Sequence, residues 1–197
     1  LSSPVFNNTD QIGYYLYGKD ATANIGQAVM NDNGQDRTTI FRIANGALLA
    51  GNTTNPKDQS TSNLDLTLSG NNSVGVLATG AGSNVDTGEA TFTVKGTDSA
   101  ALVIEGGAKG TISDKTTINL TGERTVAGVV DGQAHQLNGN TQGNATSTTL
   151  TSNAKITSEA SGNKVIAYVA RNLGNLILDT KSIIDLASVD SIGVDVQ

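Results

Sequence analysis

Glu105 and Asp131 each directly precede a glycine, Gly106 and Gly132. Two carboxylates held close together can share a proton, grip a cation or flank a glycosidic bond. Whether these two meet depends on an element that recurs at the interval from position 105 to position 131. Without such an element they are polar turn residues. A single histidine, His135, closely follows Asp131 in a polar stretch, Gln133 to Ser147. A histidine works as a general base only beside an oriented nucleophile and oxyanion donors. No Gly-Asp-Ser-Gly segment occurs in the chain, so His135 reads as a solvated loop residue. Tyr14, Tyr15 and Tyr17 gather three of the four tyrosines into one run. Aromatic faces suit sugar rings and interfaces. Strand alternation would put Tyr15 and Tyr17 on one side and Tyr14 with Leu16 on the other; the alternative role for all three is to close the end of the fold.

Composition limits what could position these groups. Gly, Thr, Ser and Asn make up 84 of the 197 residues. Glycine loses backbone entropy in a helix, and Ser and Asn compete for its hydrogen bonds. The apolar residues are mostly Val, Ile, Leu and Ala in short alternating runs, which points to strands rather than disorder. With a net charge of −6 and its 12 basic residues scattered singly, the chain is not expected to bind nucleic acid, whose phosphates call for clustered Lys and Arg. No stretch approaches the roughly 20 apolar residues of a spanning helix. There is no cysteine, hence neither a disulfide nor a thiolate metal site. The segment Gly106-Gly107-Ala108-Lys109-Gly110 lacks the Asp of a calcium-binding nonapeptide. Neither a metal nor a cofactor is expected.

The interval does recur. Leu64-Asp65-Leu66-Thr67-Leu68-Ser69-Gly70 aligns without gaps with Ala90-Thr91-Phe92-Thr93-Val94-Lys95-Gly96 and with Thr116-Thr117-Ile118-Asn119-Leu120-Thr121-Gly122. A second strand follows at the same interval: Val74–Ala78, Ala100–Ile104 and Val126–Val130, closed by Gly80, Gly106 and Gly132. Each unit is too small to bury its own apolar face, so the units must stack. The expected fold is all-β, a right-handed parallel β-helix of about 26 residues per coil and roughly seven coils, about 35 Å long at the interstrand spacing. Leu66, Phe92 and Ile118 should form one internal ladder, and Val76, Leu102 and Gly128 another. Gly70, Gly96 and Gly122 are expected to supply a backbone conformation that other residues resist. The small residues at 75, 101 and 127 should allow a close bend. The motif returns at Val165–Val169, half a coil later than a regular repeat after Val126 would place it, and again at Ile192–Val196. That delay places an insertion near 133–147. Residues 64–197 read as regular coils and 1–63 as irregular N-terminal coils or a cap, since Ile12–Gly18 does not precede Val74 by a whole number of regular coils. The chain begins at Leu1 and stops within a strand-like motif, so a fragment of a longer protein is expected, truncated at its C-terminus. A β-sandwich is the competing fold, but it would not repeat its side-chain pattern at a fixed interval.

The Leu-x-Leu-x-Leu-x-Gly strand followed by Ser-Val-Gly-Val-Leu, with its echo at Asp190-Ser191-Ile192-Gly193-Val194, resembles the passenger domains of bacterial autotransporters, proteins of type V secretion. The resemblance covers residues 60–197 well and 1–60 loosely. It implies export through an outer-membrane β-barrel, a place at the bacterial cell surface or secreted, and an adhesin's work in attachment, self-association or biofilm formation. The expected partners are host glycans, extracellular-matrix proteins or another copy of the chain. A non-enzymatic adhesin segment is thus the leading expectation, with Glu105, Asp131, His135, Tyr14, Tyr15 and Tyr17 as candidate ligand contacts. A β-helix polysaccharide lyase or hydrolase built on Glu105 and Asp131 is the first alternative, and a phage tail-spike-like rod the second.

Overall fold

The computed structural model describes residues 3–51, 63–134 and 148–197. Every regular element among them is a strand, so none is a helix long and apolar enough to cross a membrane. The strands fall into three sheets. The first holds, in spatial order, β1 (Ile12–Tyr17), β4 (Thr39–Ala44), β7 (Val74–Thr79), β10 (Ala100–Glu105), β13 (Val126–Asp131), β16 (Ile166–Arg171) and β19 (Ile192–Val196). The second is β2 (Thr22–Ile25), β5 (Leu48–Gly51), β8 (Asn84–Asp86), β11 (Lys109–Ile112), β14 (Thr149–Ser152) and β17 (Asn175–Leu178). The third is β3 (Ala28–Asn31), β6 (Leu64–Leu68), β9 (Ala90–Val94), β12 (Thr116–Leu120), β15 (Lys155–Ser158) and β18 (Ile183–Leu186). Each strand pairs in parallel with its counterpart one coil away. The chain is a parallel β-helix in which one coil gives one strand to each sheet.

A coil therefore has three strands, where the sequence pattern showed two. The strands of the second sheet are only three or four residues long. With one or two inward positions each, they carry too little alternation to stand out. The two anticipated ladders are present: Leu66 pairs with Phe92 and Phe92 with Ile118, while Val76 pairs with Leu102 and Leu102 with Gly128. These side chains, glycine aside, are completely buried or nearly so and belong to one continuous core. Burying each of the larger ones contributes about 1.5–3 kcal/mol.

Two details of register differ from the sequence reading. Val126 pairs with Ile166, not Val165, so the lengthened coil gains one residue over the motif spacing and the next coil, from Ile166 to Ile192, gives it back. A one-residue slip exchanges the faces of a strand. Here it turns Tyr168 inward, directly over Gly128. A Cβ on Gly128 would lie 2.9 Å from the Tyr168 ring and 2.9 Å from Leu150 Cδ2. The missing side chain in one coil makes room for the tyrosine of the next. Tyr168 Oη shares a 2.5 Å hydrogen bond with Ser152 Oγ; burial, partly offset by that bond, pushes its phenol up to about 12. The second difference lies near the N-terminus. Ile12 pairs with Thr39, and Thr39 with Val74. The stretch before Val74 is thus two coils in register, each longer than the regular ones, and β3 pairs with β6 across residue 63.

Turn chemistry also departs from expectation. Gly70, Gly96 and Gly122 are absent from the residues with left-handed backbone, which instead include Asn72, Asp98 and Arg124 two positions on. What these glycines supply is space. A Cβ on Gly96 would sit 1.8 Å from the Gly70 carbonyl oxygen, and one on Gly122 2.1 Å from that of Lys95. Buried hydroxyls satisfy the corners. Ser99 Oγ donates to the Gly70 carbonyl and accepts from the Ser73 amide, whose own hydroxyl accepts from the Thr38 amide. At another corner Thr116 Oγ1 donates to the Gly88 carbonyl and bonds Thr87 Oγ1. Asp32, fully buried, accepts from the amides of Gly34, Ser69 and Gly70. The Ser and Thr content thus serves backbone groups that buried turns would otherwise leave unpaired.

Candidate functional site

The two carboxylates do stand in register on adjacent coils, at the ends of β10 and β13. Both are buried, Glu105 with 2% and Asp131 with 1% of its surface exposed. The carboxylate of Asp131 is already engaged. It accepts from Arg171 Nε at 2.7 Å, from Asn172 Nδ2 at 2.9 Å and from the Gln133 amide at 2.9 Å. Burial works to raise its pKa, but the bonds from Asn172, Gln133 and Arg171 together outweigh it and hold the group below the usual carboxylate range. Arg171 is the residue paired with Asp131 on the following coil, so the ion pair staples β13 to β16. Three of the roughly four acceptor sites of the Asp131 carboxylate are thus taken by its own protein, which leaves it little to offer a proton or a sugar hydroxyl. Glu105 likewise has partners. His135 lies outside the described residues, as does most of the Gln133–Ser147 stretch.

The tyrosines divide as alternation requires. Tyr14 faces inward and stacks on Phe41, with ring centroids 5.2 Å apart and planes 16° from parallel. It packs against the core. Phe6, buried nearby, has its carbonyl held by Asn33 Nδ2. Tyr15 and Tyr17 project outward, 48% and 62% exposed, and meet edge to face at 5.8 Å. The structure thus separates one structural aromatic from two accessible ones. A neighbour that the sequence did not single out completes the group. Arg42 pairs with Tyr15 across β1 and β4, and its guanidinium carbon sits 5.9 Å from the Tyr15 ring centroid. Arg42 is only 7% exposed, and its Nε has no hydrogen-bond partner. The signal for it was the strand Thr39–Ala44, which carries apolar alternation but precedes its next copy, Val74–Thr79, by more than a regular coil.

The outer face of the third sheet is a different surface. Its columns run Thr67, Thr93, Asn119, Thr157 and Asp65, Thr91, Thr117, Lys155. Thr157 Oγ1 donates to Asn119 Oδ1 at 2.7 Å. An open groove of about 500 Å³ crosses this face, lined by Thr93, Lys95, Asn119, Thr157 and Glu159 among others. Among the described residues no three His, Cys, Asp or Glu side chains gather in a way that would hold a metal ion. Comparison with protein-family models, with curated proteins and with solved structures finds no match for this chain.

Proposed function

We propose that this chain is the rod of a surface-displayed or secreted bacterial adhesin, one that presents flat, polar sheet faces to glycans, to matrix proteins or to a neighbouring copy of itself. The observation that carries this reading is the exposed Tyr15–Tyr17 pair, fixed on the outer face of a seven-stranded sheet whose opposite face is packed into the core. A tyrosine loses little conformational entropy on contact and offers both an apolar face and a hydroxyl. The Thr and Asn columns add rows of hydroxyl and amide groups, repeated at the interstrand spacing. Single contacts of this kind are weak, and a repetitive surface adds them by avidity. Export in the manner of autotransporter passengers is part of the same proposal, resting on the sequence resemblance and on a parallel β-helix without cysteine.

The test is a glycan array together with an aggregation assay on cells displaying the chain. Retention of a defined set of glycans, or aggregation suppressed by soluble chain, is the expected result. Silence in both assays refutes the adhesin reading.

A further inference from the structure

We infer that Arg42, Tyr15 and Tyr17 form a subsite for a carboxylated sugar, a uronic-acid or comparable acidic pyranose, in which the tyrosines receive the ring and the guanidinium receives the carboxylate. The inference rests on the adhesin reading and names the ligand class of one part of its surface.

The first support is the condition of Arg42. A cation removed from water is costly unless it is paired and hydrogen-bonded. Asp10, Asp98, Asp114 and Asp131 each have a basic partner within 2.7 Å, whereas the Arg42 side chain makes no ion pair or hydrogen bond among the described residues. Its guanidinium instead faces the Tyr15 ring, and its Nε is buried without an acceptor. A chain of net charge −6 has carboxylates to spare, yet none is placed here among the described residues. Nε is closed off from a ligand, but the two terminal nitrogens are not among the buried atoms that lack a partner, and such a guanidinium fork matches a carboxylate in bidentate geometry.

The second support is independent of the charge. The paired residue on the preceding strand is an exposed tyrosine, and a second exposed tyrosine meets it edge to face. Along the same outward column the following residues are Leu77, Val103, Val129, Val169 and Asp195. Aromatic and cationic groups replace the aliphatic residues at the N-terminal end of the column, and a carboxylate, Asp195, replaces them at the other. A ring with a C–H face for Tyr15 and Tyr17 and a carboxylate for Arg42 matches the three groups together; a free inorganic anion would leave the aromatics unused.

The experiment uses tyrosine fluorescence on the whole chain, which has no tryptophan. The only tyrosine outside the run is Tyr168, fully buried, so surface quenching reports on the run itself. The probes are a tetrasaccharide of galacturonic acid, its carboxyl-reduced neutral counterpart and tetraglutamate. The acidic sugar should bind, more weakly as salt rises from about 20 to about 300 mM, and the neutral counterpart should bind about tenfold less well, the worth of one charge-assisted bond. Arg42→Gln should bring the acidic sugar down to the neutral one's affinity, Arg42→Lys should restore part of it, and Tyr17→Ala should weaken both sugars alike. Arg42→Gln removes a buried nitrogen that lacks an acceptor, so its melting temperature should be no lower than that of the parent, which keeps a loss of binding interpretable. Equal binding of the two sugars, or an unchanged affinity in Arg42→Gln, overturns the inference. Competition by tetraglutamate as strong as that of the uronate overturns the sugar half of it. If the parent chain still binds glycans on the array while Arg42→Gln changes nothing, the adhesin reading stands and this subsite falls.

Discussion

The pairing of Gly128 with Tyr168 can be tested by a double-mutant cycle. In the structure a β-carbon at Gly128 would lie 2.9 Å from the Tyr168 ring and from Leu150 Cδ2, against a comfortable carbon–carbon separation of about 3.5–4.0 Å. Gly128→Val adds two further methyl groups to the same closed space and should destabilise by about 2–3 kcal/mol through overpacking. Tyr168→Ala empties the volume of a fully buried aromatic and should cost about 3–5 kcal/mol. Combined, valine occupies part of the space the ring has left. The double variant should therefore lie about 2 kcal/mol above the sum of the single ones, within the usual range for residues in direct contact. Tyr168→Phe isolates the hydrogen bond to Ser152 and should cost about 1 kcal/mol. Urea unfolding followed by circular dichroism gives all four corners. If Val126 lay opposite Val165 instead of Ile166, Tyr168 would face solvent and Gly128 would meet Ala167. Additivity to within about 0.5 kcal/mol, or a Tyr168→Ala variant as stable as the parent, would refute the pairing of Val126 with Ile166.

Three further outcomes follow from the same geometry. Gly96→Ala places a methyl against a backbone oxygen that cannot rotate away and should cost at least about 3 kcal/mol, at the large end for single substitutions. Gly80→Ala meets no atom within 4 Å but keeps a left-handed backbone, φ 84°, and should cost only about 1–2 kcal/mol; the ranking in urea melts checks both mechanisms. Asp32→Ala removes the acceptor of three amides, of which only that of Gly70 is in a buried bond, and should cost about 1–3 kcal/mol, again measured by urea unfolding. Asp131 has a lowered folded-state pKa, so its contribution to stability is full above the unfolded carboxyl value and is lost as pH falls through the folded one. The stability gap between parent and Asp131→Asn should therefore shrink steadily below about pH 4, and a gap that widens on acidification would contradict the ion-pair account.

Much of the scaffold could be read from residue types alone, for a specific reason. In a stacked fold the inward residue of one coil touches the inward residue of the next, so the ladder Leu66–Phe92–Ile118 is written into the chain as an equal interval. What escaped had no interval to reveal it. The second sheet's strands are too short to alternate, and the copy at Thr39–Ala44 is separated from its successor by a longer coil. The one-residue error at Val165 has a different origin. Val165, Ala167 and Val169 match the apolar pattern as well as Ile166, Tyr168 and Ala170 do, and only volume decides between them: Gly128 leaves room for a ring. Candidate site residues were legible by type but not by state. Asp131 and Glu105 were rightly placed side by side, yet spacing carries no information about Asn172 and Arg171 closing over Asp131.

In a solenoid each column is its own internal standard. Neighbouring positions in a column share the same strand backbone and face, so a residue whose chemistry departs from its column answers to something other than the repeat. By that criterion the paired carboxylates match their immediate neighbours. The column Tyr17, Ala44, Thr79, Glu105, Asp131, Arg171 is polar from Thr79 onward, and its charges at 131 and 171 satisfy one another. The column Tyr15, Arg42, Leu77, Val103, Val129, Val169, Asp195 behaves otherwise, aliphatic in the middle and polar or aromatic at both ends. Aliphatic side chains suffice for four coils, and nothing in the stacking of β1 on β4 requires an exposed tyrosine or a cation with an unsatisfied nitrogen. A fold selected for stability alone would continue the aliphatic series, because burying a guanidinium nitrogen without an acceptor opposes folding. That such a group persists beside two accessible aromatic rings makes the N-terminal end of the first sheet the place where this surface departs furthest from what the scaffold requires.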